Sequence, residues 1–168
     1  MIRAIFVCLL AALTLTEPAW AGPLPALTGP VVLTVTGLDP TRYPQGKAEF
    51  DMAMLDALDA AKVSTSSIWT EGVHSYTGPS LNAVTTYLSI ANGTLSLHAL
   101  NDYAVKMPAS EVKPDFPILA TRMDGQLMPV RDKGPIWVIF PYDADVRYRS
   151  DTVYSRSIWQ LDRIDVLR

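Results

Sequence analysis

Cysteine is almost missing from this chain: among 168 residues only Cys8 carries a thiol, and it lies near the N-terminus. Beyond residue 21 there is no sulfhydryl, which excludes disulfides, iron–sulfur ligation, a cysteine nucleophile and a thiolate bond to a metal. Histidine is nearly as scarce, and His74 and His98 are too few for an all-histidine zinc site. Positive charge is not in excess either. With 14 Lys and Arg against 17 Asp and Glu the net charge is −3, which gives no reason to expect a nucleic acid or an anionic membrane surface as partner. The charge-free apolar run Ala4–Leu15 is too short to span a bilayer.

That run has another reading. Met1-Ile2-Arg3 is a short positive start and Ala19-Trp20-Ala21 a small-x-small cleavage site, so residues 1–21 read as a secretory signal peptide and residues 22–168 as one exported, periplasmic domain. The leader charges Arg3 and Glu17 cancel, so cleavage leaves the net charge unchanged.

The most informative stretch of that domain runs from Met123 to Pro141. Ile136 to Phe140 is β-branched and aromatic without charge, and reads as a strand buried on both faces in the middle of a sheet. The Arg131-Asp132-Lys133 triplet sits at its mouth, held between an Asp124-Gly125 hairpin turn and the Gly134-Pro135 pair, a plausible rim for a small-molecule site.

Elsewhere Val31–Thr36 reads as a first strand, Gly37–Gln45 as a loop and Ala48–Phe50 as extended, with Asp51 capping a short helix. Thr65–Thr70 returns to strand, and Glu71–Pro79 is loop-like. Ser80 caps a helix whose inner face is Leu81, Val84, Thr85 and Leu88 and which stops at Asn92-Gly93. Thr94–Ala99 alternates as a strand, Asn101-Asp102-Tyr103 interrupts it, and Ala104–Met107 continues. Ala109–Pro114 is a turn, Phe116–Met123 a strand, Tyr142–Ser157 a segment without a core pattern, and Ser157–Leu167 the strand that closes the sheet.

In this order the motifs Tyr76-Thr77-Gly78-Pro79-Ser80-Leu81, Asn101-Asp102-Tyr103, Ile118-Leu119-Ala120, Asp124-Gly125, Lys133 to Pro141 and Ser157 to Val166 resemble the molybdopterin-binding domain of the sulfite oxidase family, over nearly all of residues 22–168. The resemblance implies an α+β fold: a β-rich mixed sheet or barrel with two or three short helices and a pterin pocket. In that family a cysteine ahead of the helix ligates molybdenum; the corresponding neighbourhood here, Thr65–Val73, offers Ser66, Ser67 and Trp69 instead, and a hydroxyl substitutes poorly for a thiolate. The chain is most similar to small periplasmic pterin-binding proteins that lack the cysteine and regulate a membrane-bound cyclic-di-GMP signalling enzyme through its outer domain. The expected ligand is then a free pterin, with no metal and no reaction; the alternative is a molybdopterin-dependent oxidoreductase with an atypical or absent metal ligand.

Cofactor-binding candidates under this reading are Trp69, Glu71, His74, Asn101, Asp102, Tyr103, Arg131, Lys133 and Trp159. Trp69 can stack on a flat heterocycle or simply pack in the core. Asp102 can accept paired N–H donors from a pterin edge, although an Asx turn explains Asn101-Asp102-Tyr103 equally well. Glu71 and His74 lie on the loop replacing the cysteine neighbourhood and can contact ligand, or are ordinary surface-loop residues. Arg131 and Lys133 can meet a ligand's side chain or be a solvated loop. Of Trp137 and Trp159, at least one should be core. The run Tyr142, Arg147, Tyr148, Arg149, Tyr154, Arg156 has the composition of an interface or of a solvated loop.

Overall fold

Three separate strand systems, not one sheet, organise the protein; the computed structural model describes residues 24–168, so the expected leader lies outside the described residues. In chain order the elements are β1 (Val31–Thr36), β2 (Ala48–Asp51), α1 (Met52–Asp56), β3 (Ala60–Ser67), β4 (Thr70–Pro79), α2 (Leu81–Tyr87) and β5 (Thr94–Ala99). These are followed by β6 (Ala104–Pro108), β7 (Ile118–Ala120), β8 (Arg122–Met123), β9 (Gln126–Leu127), β10 (Trp137–Ile139), α3 (Asp151–Arg156) and β11 (Leu161–Leu167). The architecture is α+β, sheet-rich with three short helices; among the described residues no sheet closes into a barrel.

A five-stranded sheet runs β2-β1-β11-β5-β6. The alternation in β1 drives Leu33 and Val35 inward to complete burial, and β1 lies parallel to β11 with Thr34 opposite Arg163. Strand β11 therefore sits at the centre of the sheet and does not close its edge. Leu161, Ile164 and Val166 of this strand are buried in the core, while Thr36 Oγ1 of the neighbouring β1 donates to Asp165 Oδ1 at 2.7 Å. The strand is also shorter than its alternation predicted: Gln160 is left-handed at φ 52°, so Ser157–Gln160 form a turn ahead of it.

The helices follow their caps. Asp51 Oδ1 accepts the Met54 amide at 2.8 Å, while Oδ2 accepts the Thr28 and Gly29 amides at 2.6 and 2.9 Å and so pins the lead-in segment to α1. These bonds, the Met54 amide first, hold the Asp51 carboxyl at about 2. Ser80 accepts the Ala83 amide at 3.0 Å and starts α2 as expected. The stop comes earlier than Asn92-Gly93. Ser89 takes the left-handed position at φ 57°, and the Ile90 amide reaches back to Thr85 O at 2.8 Å, a Schellman closure that exposes the small Ser89 and tucks Ile90 against the core.

The larger departure is Glu71–Pro79, expected as loop and found as most of β4, a ten-residue strand paired antiparallel to β3 from Ala60↔Pro79 to Ser67↔Thr70. Its glycines suggested breaks but serve other ends: Gly72 is left-handed near the hairpin tip, and Gly78 permits a close backbone approach. Correspondingly β3 starts at Ala60 and ends at Ser67, so Ile68 and Trp69 form the hairpin turn, not strand. The sheet continues β3-β4-β8-β9, and the Asp124-Gly125 turn joins β8 to β9 with both residues at positive φ, as the dipeptide requires.

The segment Phe116–Met123 splits at buried Thr121, whose amide bonds Thr77 O at 2.9 Å, so β7 and β8 belong to different strand systems. Strand β10 is buried on both faces as expected, with Trp137, Val138 and Ile139 at 0% exposure, but it is not in the middle of a sheet. Among the described residues it pairs only with β7; on its other edge the Val138 amide donates to Ile158 O at 2.9 Å, and just before it Ile136 O accepts the amide of Leu161 at the start of β11 at 3.0 Å. The seam between this pair and the hairpin is Gly78, where a Cβ would lie 2.1 Å from Leu119 O. Replacing Gly78 by alanine is therefore expected to force the strands apart and cost about 1–3 kcal/mol or more in a urea melt, whereas the same change at exposed Gly29 should cost much less.

Candidate binding site

Trp69, at the tip of the β3–β4 hairpin, folds back onto the protein and meets four aromatic rings edge-to-face. Their centroids lie 5.9 Å away for Trp137, 6.2 Å for Tyr142, 5.7 Å for Tyr154 and 5.9 Å for Trp159. Tyr76 completes the cluster against Trp137 at 5.5 Å. Such perpendicular pairs set the quadrupoles favourably and add about 0.5–1.5 kcal/mol each beyond the area they bury.

The hairpin is held in this pose from below. Asp143 accepts the Ser66 amide at 2.6 Å and the Ser66 hydroxyl at 2.7 Å, and its own amide donates to Thr65 Oγ1 at 3.1 Å. These bonds, with Arg149 alongside, hold the Asp143 carboxyl at about 2. Next to it Tyr142 is buried, donates to Ser157 Oγ at 2.7 Å, and has its hydroxyl pushed well above the usual phenol range by burial. The Trp137 Nε1 donates to Ser157 O at 3.0 Å.

Beside the cluster opens a cavity of about 240 Å³. Trp69, Tyr154 and Trp159 form its aromatic walls, and Asn101, Tyr103, Ala99, Ser155, Ser157 and Ile158 the remainder. Tyr103 reaches across to donate its hydroxyl to Ser155 O at 3.3 Å. Asn101 Oδ1 accepts the Tyr103 amide at 3.2 Å, the Asx bond of a turn, which leaves its Nδ2 as the donor it can offer a ligand. No residue lining this cavity is charged.

Four of the nine sequence candidates thus converge: Trp69, Asn101, Tyr103 and Trp159. The others do not join them. Asp102 is exposed and left-handed at φ 63°, its amide closing the turn onto Ala99 O at 3.0 Å. Lys133 places Nζ 5.4 Å from the Trp137 ring centroid while Arg131 is exposed on the same loop. Glu71 is exposed on β4; its carbonyl accepts or faces His74 Nε2 at 2.9 Å, and His74 Nδ1 lies 2.6 Å from Asp124 Oδ2. His74 therefore fastens the β8–β9 turn to β4 and does not line the aromatic cavity.

Tyr154, Ser155, Ser157 and Ile158 were not foreseen at the cavity. The segment from Tyr142 to Ser157 folds as a one-turn 3₁₀ segment and α3, started by the Ser150 side chain, and six residues are too few to display a helical period. Of its arginines, Arg147 pairs with Asp145, Arg149 with Asp143 and Arg156 with Glu111, so these charges are met within the chain. Trp137 is the core tryptophan and Trp159, 38% exposed, is the one the solvent reaches.

Among the described residues no three His, Cys, Asp or Glu side chains are grouped to hold a metal, and no helix is long and apolar enough to cross a membrane. No protein-family model matches the chain, and no curated protein matches it.

Two measurements follow from this geometry. Trp69→Ala removes four ring contacts at once and is expected to lower stability by about 3 kcal/mol and to leave the near-ultraviolet circular dichroism of the remaining tryptophans altered. The His74–Asp124 pair raises the imidazole above its ordinary 6.5 and lowers the carboxyl below its ordinary 3.8, each chiefly through their mutual hydrogen bond. The imidazole's contribution is complete below pH 6.5 and fades as pH rises through the folded value; the carboxyl's is complete above 3.8 and fades as pH falls through its folded value. The stability gap between the native protein and His74→Gln should hence be widest between those two values and shrink toward pH 8, as a series of thermal melts would show.

Proposed function

We propose that the protein binds a free pterin in the cavity walled by Trp69, Tyr154 and Trp159 without transforming it, and that the filled or empty cavity is read by the outer domain of a membrane signalling protein of the cyclic-di-GMP enzyme type in the periplasm. The observation that carries this is the uncharged, aromatic-walled cavity of about 240 Å³. That volume is below the roughly 300–1,000 Å³ of drug-sized sites and suits a bicyclic heterocycle better than a nucleotide or a phosphorylated cofactor. Indole and phenol faces supply stacking area, and Asn101 Nδ2 supplies a hydrogen-bond donor for a heterocycle's edge.

Without an imidazole, carboxylate or ammonium in its lining, the cavity has no side chain suited to moving a proton near neutral pH, which favours a binder over a catalyst. The architecture belongs to the same broad α+β class as the sulfite oxidase type of fold, which is the finer reading we adopt with this proposal. The oxidoreductase alternative fits the residues less well. Where the family's cysteine would stand, the hydroxyls of Ser66 and Ser67 are engaged with Asp143 and Thr70, and neither is a soft ligand. A pterin fits the residues present; a molybdenum centre does not.

Signalling through such a pocket requires the partner to prefer one of its two states, so the filled and empty forms must differ in affinity for it. The direct test is titration with pterin and tetrahydropterin, read by quenching of tryptophan emission. Saturable quenching is expected, weakened roughly tenfold or more in Trp159→Ala by loss of one stacking face, and unchanged in His74→Ala. Absence of saturation with either pterin, together with no pterin in mass spectra of the protein isolated from its host, would end the proposal.

A further inference from the structure

On the far side of the Trp159–Asp162 segment from the aromatic cavity lies a second depression of about 360 Å³. Its walls are Val31 and Val32 of β1, Leu100, and Val130 and Pro135 of the loop before β10. Three of these are unusually open for apolar side chains: Val31 is 42% exposed, Leu100 50% and Val130 52%. One wall residue is ionisable. Asp162 occupies the register shift between Leu161 and Arg163, where β11 departs from its ladder with β5, and a bulged residue of this kind turns its side chain out of the regular alternation.

Asp162 Oδ1 is shielded from solvent and has no hydrogen-bond partner among the described residues. Arg163 Nε lies 3.6 Å from Asp165 Oδ2, and Lys133 Nζ lies 5.4 Å from the Trp137 ring centroid. A carboxylate with one oxygen neither solvated nor paired, set in an apolar wall, lacks a donor that something else must supply. Its terminal torsion is broad, so either oxygen can be turned toward the depression.

We propose that this depression is a second ligand site, selective for a small organic ammonium ion: an apolar aromatic or branched aliphatic body seated on Val31, Leu100 and Val130, with its N–H donors on Asp162. Charge complementarity fixes the occupant's class, because an anion would face an uncompensated carboxylate and a neutral hydrocarbon would leave it unpaired. The site is built from the same two chain segments as the aromatic cavity. Leu100 lines one and Asn101 the other; Asp162 lines one and Trp159 the other. Between them the Leu100 amide donates to Gln160 O at 3.0 Å, and Gln160 Nε2 to Val130 O at 2.6 Å. The proposal does not depend on the pterin reading, since it concerns different side chains and a different ligand charge.

Titrating the ¹⁵N-labelled protein at neutral pH with phenethylamine and, separately, with phenylacetate tests it. Phenethylamine is expected to shift the amides of Val32, Leu100, Val130 and Asp162 saturably, and phenylacetate to leave them in place. Asp162→Asn should weaken the amine about tenfold, the loss of one charge-assisted hydrogen bond. Because that change touches β11, Val130→Lys at the exposed rim provides an independent check: its ammonium should pair with Asp162 and abolish the amine's effect in a folded protein. Equal shifts with phenylacetate, full affinity in both variants, or no saturable shift with the amine would each overturn the site. Concentration-dependent shifts of the same amides without ligand would overturn it too, by assigning the depression to a second copy of the chain.

Discussion

The Trp137 indole is where three remote parts of the chain are tied together. It is fully buried on β10, donates through Nε1 to Ser157 O at 3.0 Å, and receives Tyr76 and Trp69 edge-on at 5.5 and 5.9 Å. A buried indole must both fill its volume and find an acceptor for its N–H, and here one residue meets both demands with partners from the hairpin and from the turn after α3. Because β10 pairs with β7 alone, its other edge is anchored to Ile158 by a backbone bond, so Ser157 and Ile158 are held from two directions. Those same residues line the aromatic cavity, which makes its back wall part of the core and leaves its front wall to Trp69 and Trp159.

That division explains the distribution of charge. Ion pairs such as Arg122–Asp56 and Arg156–Glu111 lie at the surface, where each contributes little and organises loops more than it stabilises them. The side chains lining the cavity are uncharged, so contacts there are made by area and by neutral hydrogen bonds, and would change little with ionic strength.

Much of this was legible in the residues. The β-branched run Val31–Thr36, the alternating Thr94–Ala99, the caps Asp51 and Ser80 and the Asp124-Gly125 turn each carry a local physical signal, and each element forms where that signal lies. Trp69, Asn101, Tyr103 and Trp159, which became candidates through the family resemblance, meet at one cavity. What could not be read depends on contacts distant in sequence. The glycines of β4 resembled loop punctuation because Gly78 answers to Leu119 O, some forty residues away, and nothing local announces that approach. His74 resembled a ligand contact because its partner Asp124 lies fifty positions on. Tyr154 was hidden in a segment whose helix is too short for a period to show.

The parallel pairing of β1 with β11 has a consequence for how the molecule comes into being. The central strand of the five-stranded sheet is the last in chain order among the described residues, so β1 and β2 on one flank and β5 and β6 on the other stay unjoined until it is in place. Assembly of this sheet thus waits on contacts between segments 129 residues apart, and a polypeptide without β11 leaves the two flanks with no strand to join them.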